Sequence, residues 1–419
     1  MQRIPKIQII LVILISLLVG YYFGVNKINF DWKNYRPKIT VESKKPPAQV
    51  SNVDFSVFWT VWQKLENSYY DKTKLDPQKM INGAISGMVQ SLDDPFTVYL
   101  PPVQNDNFKQ GLAGQFQGIG AELGIKDQKI LVISPLNGSP AQKAGIRAGD
   151  FILAVNGGST ANMTLSQAVE KIRGPKGTTV TLTIIHKDEN SPKDIKIVRD
   201  VITVKSVETW IKKGKDIDAI NLDKKYHESK VAYIRLSQFG DNTNSEWLAS
   251  INDLNLKLGK DKDVSGVILD LRNNPGGYLS DAVFISSEFL REGVEVVSEE
   301  EASGKTVLKA NRRGFLTETP VIVLINKGSA SASEIVAGAL RDNDRAKLVG
   351  ETSFGKGTIQ QAEDLGGGAG IHVTVAKWLT PNGTWVNGEG LKPDLEVALD
   401  SKNPERDTQL EKAVQELVK

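Results

Sequence analysis

Cysteine is absent from the 419 residues, and histidine occurs only three times, as His186, His227 and His372. The first absence removes disulfides, thiol nucleophiles and thiolate metal sites. It does not fix a compartment, because an exported protein can do without disulfides. The second leaves little for imidazole catalysis, since none of the three stands in a catalytic context. Net charge is also lacking: 52 Lys and Arg against 50 Asp and Glu leave +2. That is no electrostatic footprint for a nucleic acid. The short basic run Ile211-Lys212-Lys213-Gly214-Lys215 reads as a solvated loop. No metal cluster or phosphate loop is visible, so neither a cofactor nor a nucleic-acid partner is expected. The charged fraction of 24% and hydrophobic fraction of 40% are those of an ordinary globular protein. The length allows two or three domains.

The N-terminus suggests an address. Arg3 and Lys6 precede an apolar run over 7–25 that ends in Tyr21-Tyr22-Phe23. That run is at the short end of the ~17–25 residues that span a bilayer. No small-residue cleavage site follows it, so an uncleaved signal-anchor is expected in preference to a cleaved signal peptide. Basic residues before the span predict a cytoplasmic tail at 1–6. The rest would then lie outside the cytoplasm on a single-pass cell-membrane anchor. Residues 26–53, with Pro37, Pro46 and Pro47, read as a linker.

A helical segment is expected over 54–112. Phe55, Phe58, Val61, Trp62, Leu65 and Tyr69 recur at helical spacing and predict a first amphipathic helix. Asp76-Pro77 opens a second, which Asp93-Asp94-Pro95 ends. From 113 to 204 the pattern changes to short strands and glycine turns. Gln117-Gly118-Ile119-Gly120 leads into a strand, and Ser139-Pro140-Ala141 through Ala144-Gly145-Ile146 starts a short helix. Gly149-Asp150 and Ile152 to Asn156-Gly157 follow. This segment resembles a PDZ domain. The resemblance implies that Gly118, Ile119 and Gly120 hold a peptide's terminal carboxylate. Ala121 and Leu123 would line the docking edge, and Leu165, Ala168 and Ile172 the helical wall.

Beyond 205, apolar strands alternate with helices: strands at 231–236, 266–271 and 321–325, helices at 245–258, 281–290 and 331–342. The alternation argues an α/β layer structure. A hairpin is expected from 371–378, a turn at Pro381-Asn382-Gly383, and 384–386. A final helix is expected at 408–418.

Two motifs in this part carry chemistry. Ser329-Ala330-Ser331-Ala332-Ser333-Glu334 sits at a helix start, and Phe354-Gly355-Lys356-Gly357 with Gln360 forms a glycine loop. Ser331 and Glu334 alone fit a capping box. A serine at a helix N-terminus also gains from unpaired N–H groups and the helix dipole, which stabilise an oxyanion. Gly276-Gly277 after a buried strand supplies bare backbone for a second donor. A lysine becomes a base when burial lowers its pKa below the reference ~10.4, so a desolvated Lys356 is expected. Gln360 is placed to orient its amine.

These motifs, with Gly350-Glu351 and Gly388-Glu389-Gly390-Leu391-Lys392-Pro393-Asp394, resemble the carboxyl-terminal processing peptidases, also called tail-specific proteases. The likeness runs from about Asp54 to Val397. It implies an α+β multidomain fold: a layered α/β protease core of the ClpP or crotonase kind, with an inserted PDZ domain and helical N- and C-terminal segments. The catalytic domain would span 205–400 and a C-terminal helix 401–419. The resemblance also implies a serine endopeptidase with Ser331 as nucleophile, Lys356 as base 25 positions on, and Gln360 completing a triad. Ala332, Gly277 and Gly276 would serve the oxyanion hole, and Asp342 a structural role. Expected partners are proteins or peptides with apolar C-termini, the membrane, a second copy in a homodimer, and an adaptor. Two rival readings are a PDZ adaptor with a degenerate core and an acyl-CoA-type enzyme built on the glycine turn.

Overall fold

The computed structural model describes residues 15–17, 28–33, 36–41 and 54–419, apart from 127, 137, 187, 188, 190, 262, 401, 402, 404 and 405. The membrane span expected at 7–25 falls almost entirely outside the described residues. Among the described residues no helix is long and apolar enough to cross a membrane. The chain forms two compact bodies, 1–81 and 82–419.

In the first body, β1 (Ile28–Lys33) pairs antiparallel with β2 (Arg36–Val41). The first amphipathic helix is α1 (Ser56–Ser68). Its apolar face is not covered, since no residue of α1 is buried and Phe55, Trp59 and Val61 are exposed. The second helix, α2 (Pro77–Gln90), opens as expected: Asp76 Oδ1 accepts the Gln78 and Lys79 N–H groups.

The boundary between the bodies falls within α2, and the second body continues with β3 (Val98–Leu100) and α3 (Pro102–Leu112). α3 lies inside the helical segment expected over 54–112, where no third helix was singled out. Its start follows from Pro102, whose fixed φ and missing N–H suit the first helical turn. Next come β4 (Gln115–Gly118), β5 (Ala121–Lys126), β6 (Lys129–Pro135), α4 (Pro140–Lys143), β7 (Phe151–Val155), β8 (Gly158–Ser159), α5 (Leu165–Ile172), β9 (Thr179–Ile185), β10 (Lys193–Val198) and β11 (Asp200–Thr203). The sheet runs β10-β9-β7-β6-β5 around its own core of Ile130, Val132, Ile152, Val180, Leu182 and Ile184. β4 and β11, which lead into and out of this domain, pair with each other as a two-stranded stem.

The chain beyond 205 supplies β12 (Val207–Lys213), β13 (Lys230–Leu236), α6 (Thr243–Lys260), β14 (Val264–Asp270), α7 (Leu279–Phe289), β15 (Glu295–Glu301), β16 (Gly304–Lys309), β17 (Val321–Ile325), α8 (Ala332–Asp342), β18 (Lys347–Gly350), β19 (Thr358–Gly366), β20 (Ala369–Leu379), β21 (Leu395–Glu396) and α9 (Thr408–Leu417). Its main sheet is ordered β12-β13-β14-β17-β18-β21, with β12 antiparallel and the others parallel. The basic run expected to be a loop is thus largely an edge strand, with Lys213 and Lys215 paired to Glu228. Both faces are covered, which explains why β17 is apolar throughout. Ala232, Ile234, Val267 and Leu269 face Trp247, Phe289 and Val336 on one side. Tyr233, Ile268, Ile322 and Leu324 face Leu410, Ala413 and Val414 on the other.

A second sheet, β16-β15-β20-β19, also takes in β3 beside β20. Here the expected hairpin is wrong. β20 folds back on β19 through Gly366 to Ala369, and 384–386 forms no strand. The turn at 381–383 is only local, with the Gly383 N–H donating to the Thr380 carbonyl. The reason is that β19 offers β20 a long antiparallel partner, whereas 384–386 is held elsewhere by the Gly357 carbonyl, which accepts from Trp385 Nε1 at 2.8 Å.

Candidate active site

Topology gathers the site. The neighbouring parallel strands β14, β17 and β18 end at Asp270, Ile325 and Gly350. The segments leaving those ends carry Gly276-Gly277, Ser331 and Lys356. Ligand sites of open α/β sheets lie outside the carboxyl ends of strands.

Ser331 caps α8 with φ 54° and ψ −116°. A non-glycine residue held there stores roughly 1–3 kcal/mol of strain, which such sites keep only when their surroundings enforce it. The surroundings are Asn274 and Glu334. The Asn274 carbonyl accepts the Ala330 N–H at 3.0 Å and the Ser333 hydroxyl at 2.8 Å. Its side chain, fully buried, donates to the Leu236 carbonyl at 2.7 Å and accepts the Gly276 N–H at 2.9 Å.

Glu334 is 1% exposed and receives four donors. Oε2 accepts the N–H of Ser331 at 2.8 Å and of Lys356 at 2.9 Å. Oε1 accepts the Ser353 hydroxyl and the Gly355 N–H, each at 2.6 Å. The capping-box expectation therefore described half of its role. The same carboxylate that caps α8 also fastens the lysine loop.

The Gly276-Gly277 turn packs directly against this helix start. A Cβ on Gly276, at φ 94°, would lie 2.8 Å from Ser331 Cβ and 2.9 Å from Ala332 N. One on Gly277 would lie 1.6 Å from the Phe239 carbonyl oxygen. The N–H groups of Ser331 and Gly276 are spent on Glu334 and Asn274. Those of Gly277 and Ala332 make no hydrogen bond among the described residues.

Lys356 is half-buried. Burial pulls its ammonium below the ordinary lysine range, and the charges of Asp94 and Glu334 push back. Its Nζ lies over the Phe96 ring, 5.0 Å from the centroid. No hydrogen bond joins it to Ser331 or Gln360 among the described residues. Gln360 instead donates to the hydroxyls of Thr358 at 2.9 Å and Thr374 at 3.1 Å. Asp342 pairs with Arg341 at 2.9 Å and accepts the Asn382 N–H at 3.1 Å, so it pins a turn. Asp94, Phe96 and Asn274 were not singled out in the sequence. The signal for the first two was the run Asp93-Asp94-Pro95-Phe96-Thr97, of which Asp93-Asp94-Pro95 was read only as a helix end.

In the β5–β10 domain, β5 is the edge strand of its sheet, paired on one side to β6. Gly118, Ile119 and Gly120 are buried, Ala121, Leu123 and Leu165 half-buried. Ala168 and Ile172 are 0% and 3% exposed and belong to the domain's core.

A layered α/β core with a strained serine at a helix start, a desolvated lysine and an inserted six-stranded sheet with a free edge defines a PDZ-bearing serine peptidase. Comparisons with known proteins agree. Residues 230–397 match the model of peptidase family S41, 109–185 the PDZ domain, and 14–102 the N-terminal domain of the activating protease CtpB. Carboxy-terminal processing protease CtpA of Bacillus subtilis is 38% identical over 353 residues, 84% of this chain and 71% of that protein. The carboxy-terminal-processing protease of Bartonella bacilliformis is 41% identical over 342 residues, 81% and 74% of the two chains. The solved photosystem II D1 C-terminal processing protease is 30% identical, with a TM-score of 0.51 over 87% of this chain and 97% of that one. The chain belongs to the S41 family of carboxy-terminal processing serine proteases, and its substrates are peptides or proteins.

Proposed function

We propose that Ser331 attacks the scissile carbonyl and that Lys356, once neutral, takes its hydroxyl proton and returns it to the leaving amine. An acyl-enzyme on Ser331 would then be hydrolysed by water. The N–H groups of Gly277 and Ala332 stabilise the oxyanion. The observation that carries this reading is the strained Ser331 beside the glycine turn, tied to the Lys356 loop through one carboxylate. Gln360 acts on the lysine only indirectly, through its hydrogen bonds to Thr358 and Thr374.

The free edge of β5, with Leu123 and Leu165 beside it, captures an apolar C-terminal tail by strand addition. Exposed Tyr278 and Phe354, on the segments that carry the glycine turn and Lys356, offer apolar surface to the same chain. The apolar run 7–25 anchors the enzyme in the cell membrane with its catalytic part outside the cytoplasm. The basic residues before the run support that orientation.

The test is cleavage of an unfolded protein with an apolar C-terminus by the full-length chain, beside Ser331→Ala and Lys356→Ala. Activity is expected to vanish in both variants; cleavage surviving in either one overturns the dyad. Alkaline extraction of cell membranes tests the anchor, which fails if the protein is released.

A further inference from the structure

The Lys356 amine is seated by a turn that precedes the PDZ domain by some twenty residues. Asp94 Oδ1 accepts the Phe96 N–H at 3.0 Å, and Oδ2 accepts the Thr97 hydroxyl at 2.6 Å. Thr97 Oγ1 accepts the Thr374 N–H from β20 at 3.0 Å. β3, which begins one residue later, pairs with β20 as well. The turn is therefore fixed to the sheet that also carries Gln360. From that position it presents the Phe96 ring to the Lys356 ammonium at 5.0 Å and adds the Asp94 charge.

Burial opposes ionisation of Asp94, but the Thr374 and Thr97 hydroxyls and the Phe96 amide outweigh it, and its pKa lies below the ordinary range. Asp94 is thus anionic at neutral pH. The other charged or titratable groups facing Lys356 are Glu334 from α8 and His372 from β20. His372 is lowered by burial and then by Lys356, so it adds little positive charge.

We propose that Phe96 and Asp94 are positioning residues for the Lys356 amine, the ring and the carboxylate together forming the seat from which it works. This rests on the reading of Lys356 as the base. A cation is held on an aromatic face by the ring's quadrupole, most strongly where water is excluded. The seat therefore favours the charged amine and works against burial. The two opposing influences leave an amine that is fixed in place and can still shed its proton.

The experiment measures kcat/KM against pH for the full-length enzyme on a fluorogenic peptide with an apolar C-terminus. In parallel, the pH dependence of Lys356 acetylation by acetic anhydride is followed by mass spectrometry in a Ser331→Ala background, where activity plays no part. Removing groups that favour the charged form lowers the pH at which the amine becomes neutral. Phe96→Leu is expected to move the acidic limb and the labelling midpoint down by about half a unit to one unit. Asp94→Asn moves them the same way, and Phe96→Tyr, which keeps the ring, restores both. Unmoved or raised midpoints in Phe96→Leu and Asp94→Asn overturn the seat, even where Lys356→Ala is inactive. An active Lys356→Ala overturns the base instead, and the labelling still decides whether the seat exists.

Discussion

Ser331 and Lys356 share one carboxylate oxygen: Oε2 of Glu334 accepts the backbone N–H of each, at 2.8 and 2.9 Å. The two segments come from the ends of different strands, and this contact sets their spacing.

Replacing Glu334 by Gln keeps the shape but turns one acceptor into a donor facing two donors. Both oxygens are already used twice, so no flip of the amide avoids the conflict. Glu334→Gln is expected to cost about 2–4 kcal/mol of stability. Activity should fall by roughly 10²-fold or more, mainly in kcat, because small displacements of reacting groups are that costly. Denaturant melts and steady-state kinetics check both.

Strain at Ser331 separates two variants that lack the hydroxyl. Alanine keeps the Cβ that makes φ 54° unfavourable, while glycine does not. Ser331→Gly is expected to be about 1 kcal/mol more stable than Ser331→Ala, after allowing for glycine's larger entropy cost. Equal melting temperatures would mean that the backbone there is unstrained.

The glycine turn tolerates no side chain. Gly276→Ala drives a Cβ to 2.6 Å from the Ala330 carbonyl oxygen as well as against Ser331. It is expected to abolish cleavage and to lower stability by about 2 kcal/mol or more. Gly277→Ala meets backbone at 1.6 Å and should be the harsher of the two, which soluble yield and thermal melts would rank.

Asp281, on the first turn of α7, is 4% exposed. It accepts from Asn244 Nδ2 at 2.9 Å, while its own Oδ2 and Asn244 Oδ1 lack partners among the described residues. Burial raises its pKa, the Asn244 and Ser280 side chains offset part of that, and the Asp241 charge adds to it. A carboxyl whose folded pKa exceeds its unfolded value binds its proton more tightly when folded. Stability is then highest below the ordinary carboxylate range and falls as pH rises through the raised value. Asp281→Asn does not titrate, so it is expected to gain on the wild type as pH rises, by about 1 kcal/mol at neutral pH. Melts from pH 4 to pH 8 check this; a constant difference would count against it.

Much of this was legible in the chain. Val321 to Ile325 announced a buried strand because a strand covered on both faces must be apolar throughout. The helix starts at Pro77 and Ala332 were visible because capping is a local matter of side chain and backbone. Other elements were not. α3 was hidden behind a double proline, and β15, β16 and β19 carry charged or half-exposed residues whose pattern no single strand reveals. The hairpin partner of β20 was misread because pairing depends on competing strands, not on the nearest turn.

At the site, the sequence by itself determined which chemically able residues stand where: Ser331 at a helix start, Lys356 between glycines, and Gly276-Gly277 after a strand. Their residue types and short-range spacing are chemical facts that need no fold. The tertiary structure decided what those residues touch. Glu334 became a junction, Gly276 gave up its N–H to Asn274, Gln360 turned to two threonines, and Phe96 met the lysine from 260 positions away. Each of these rests on contacts between segments far apart in the chain. Only the packing of strands β14, β17, β18 and β20 brings those segments within reach.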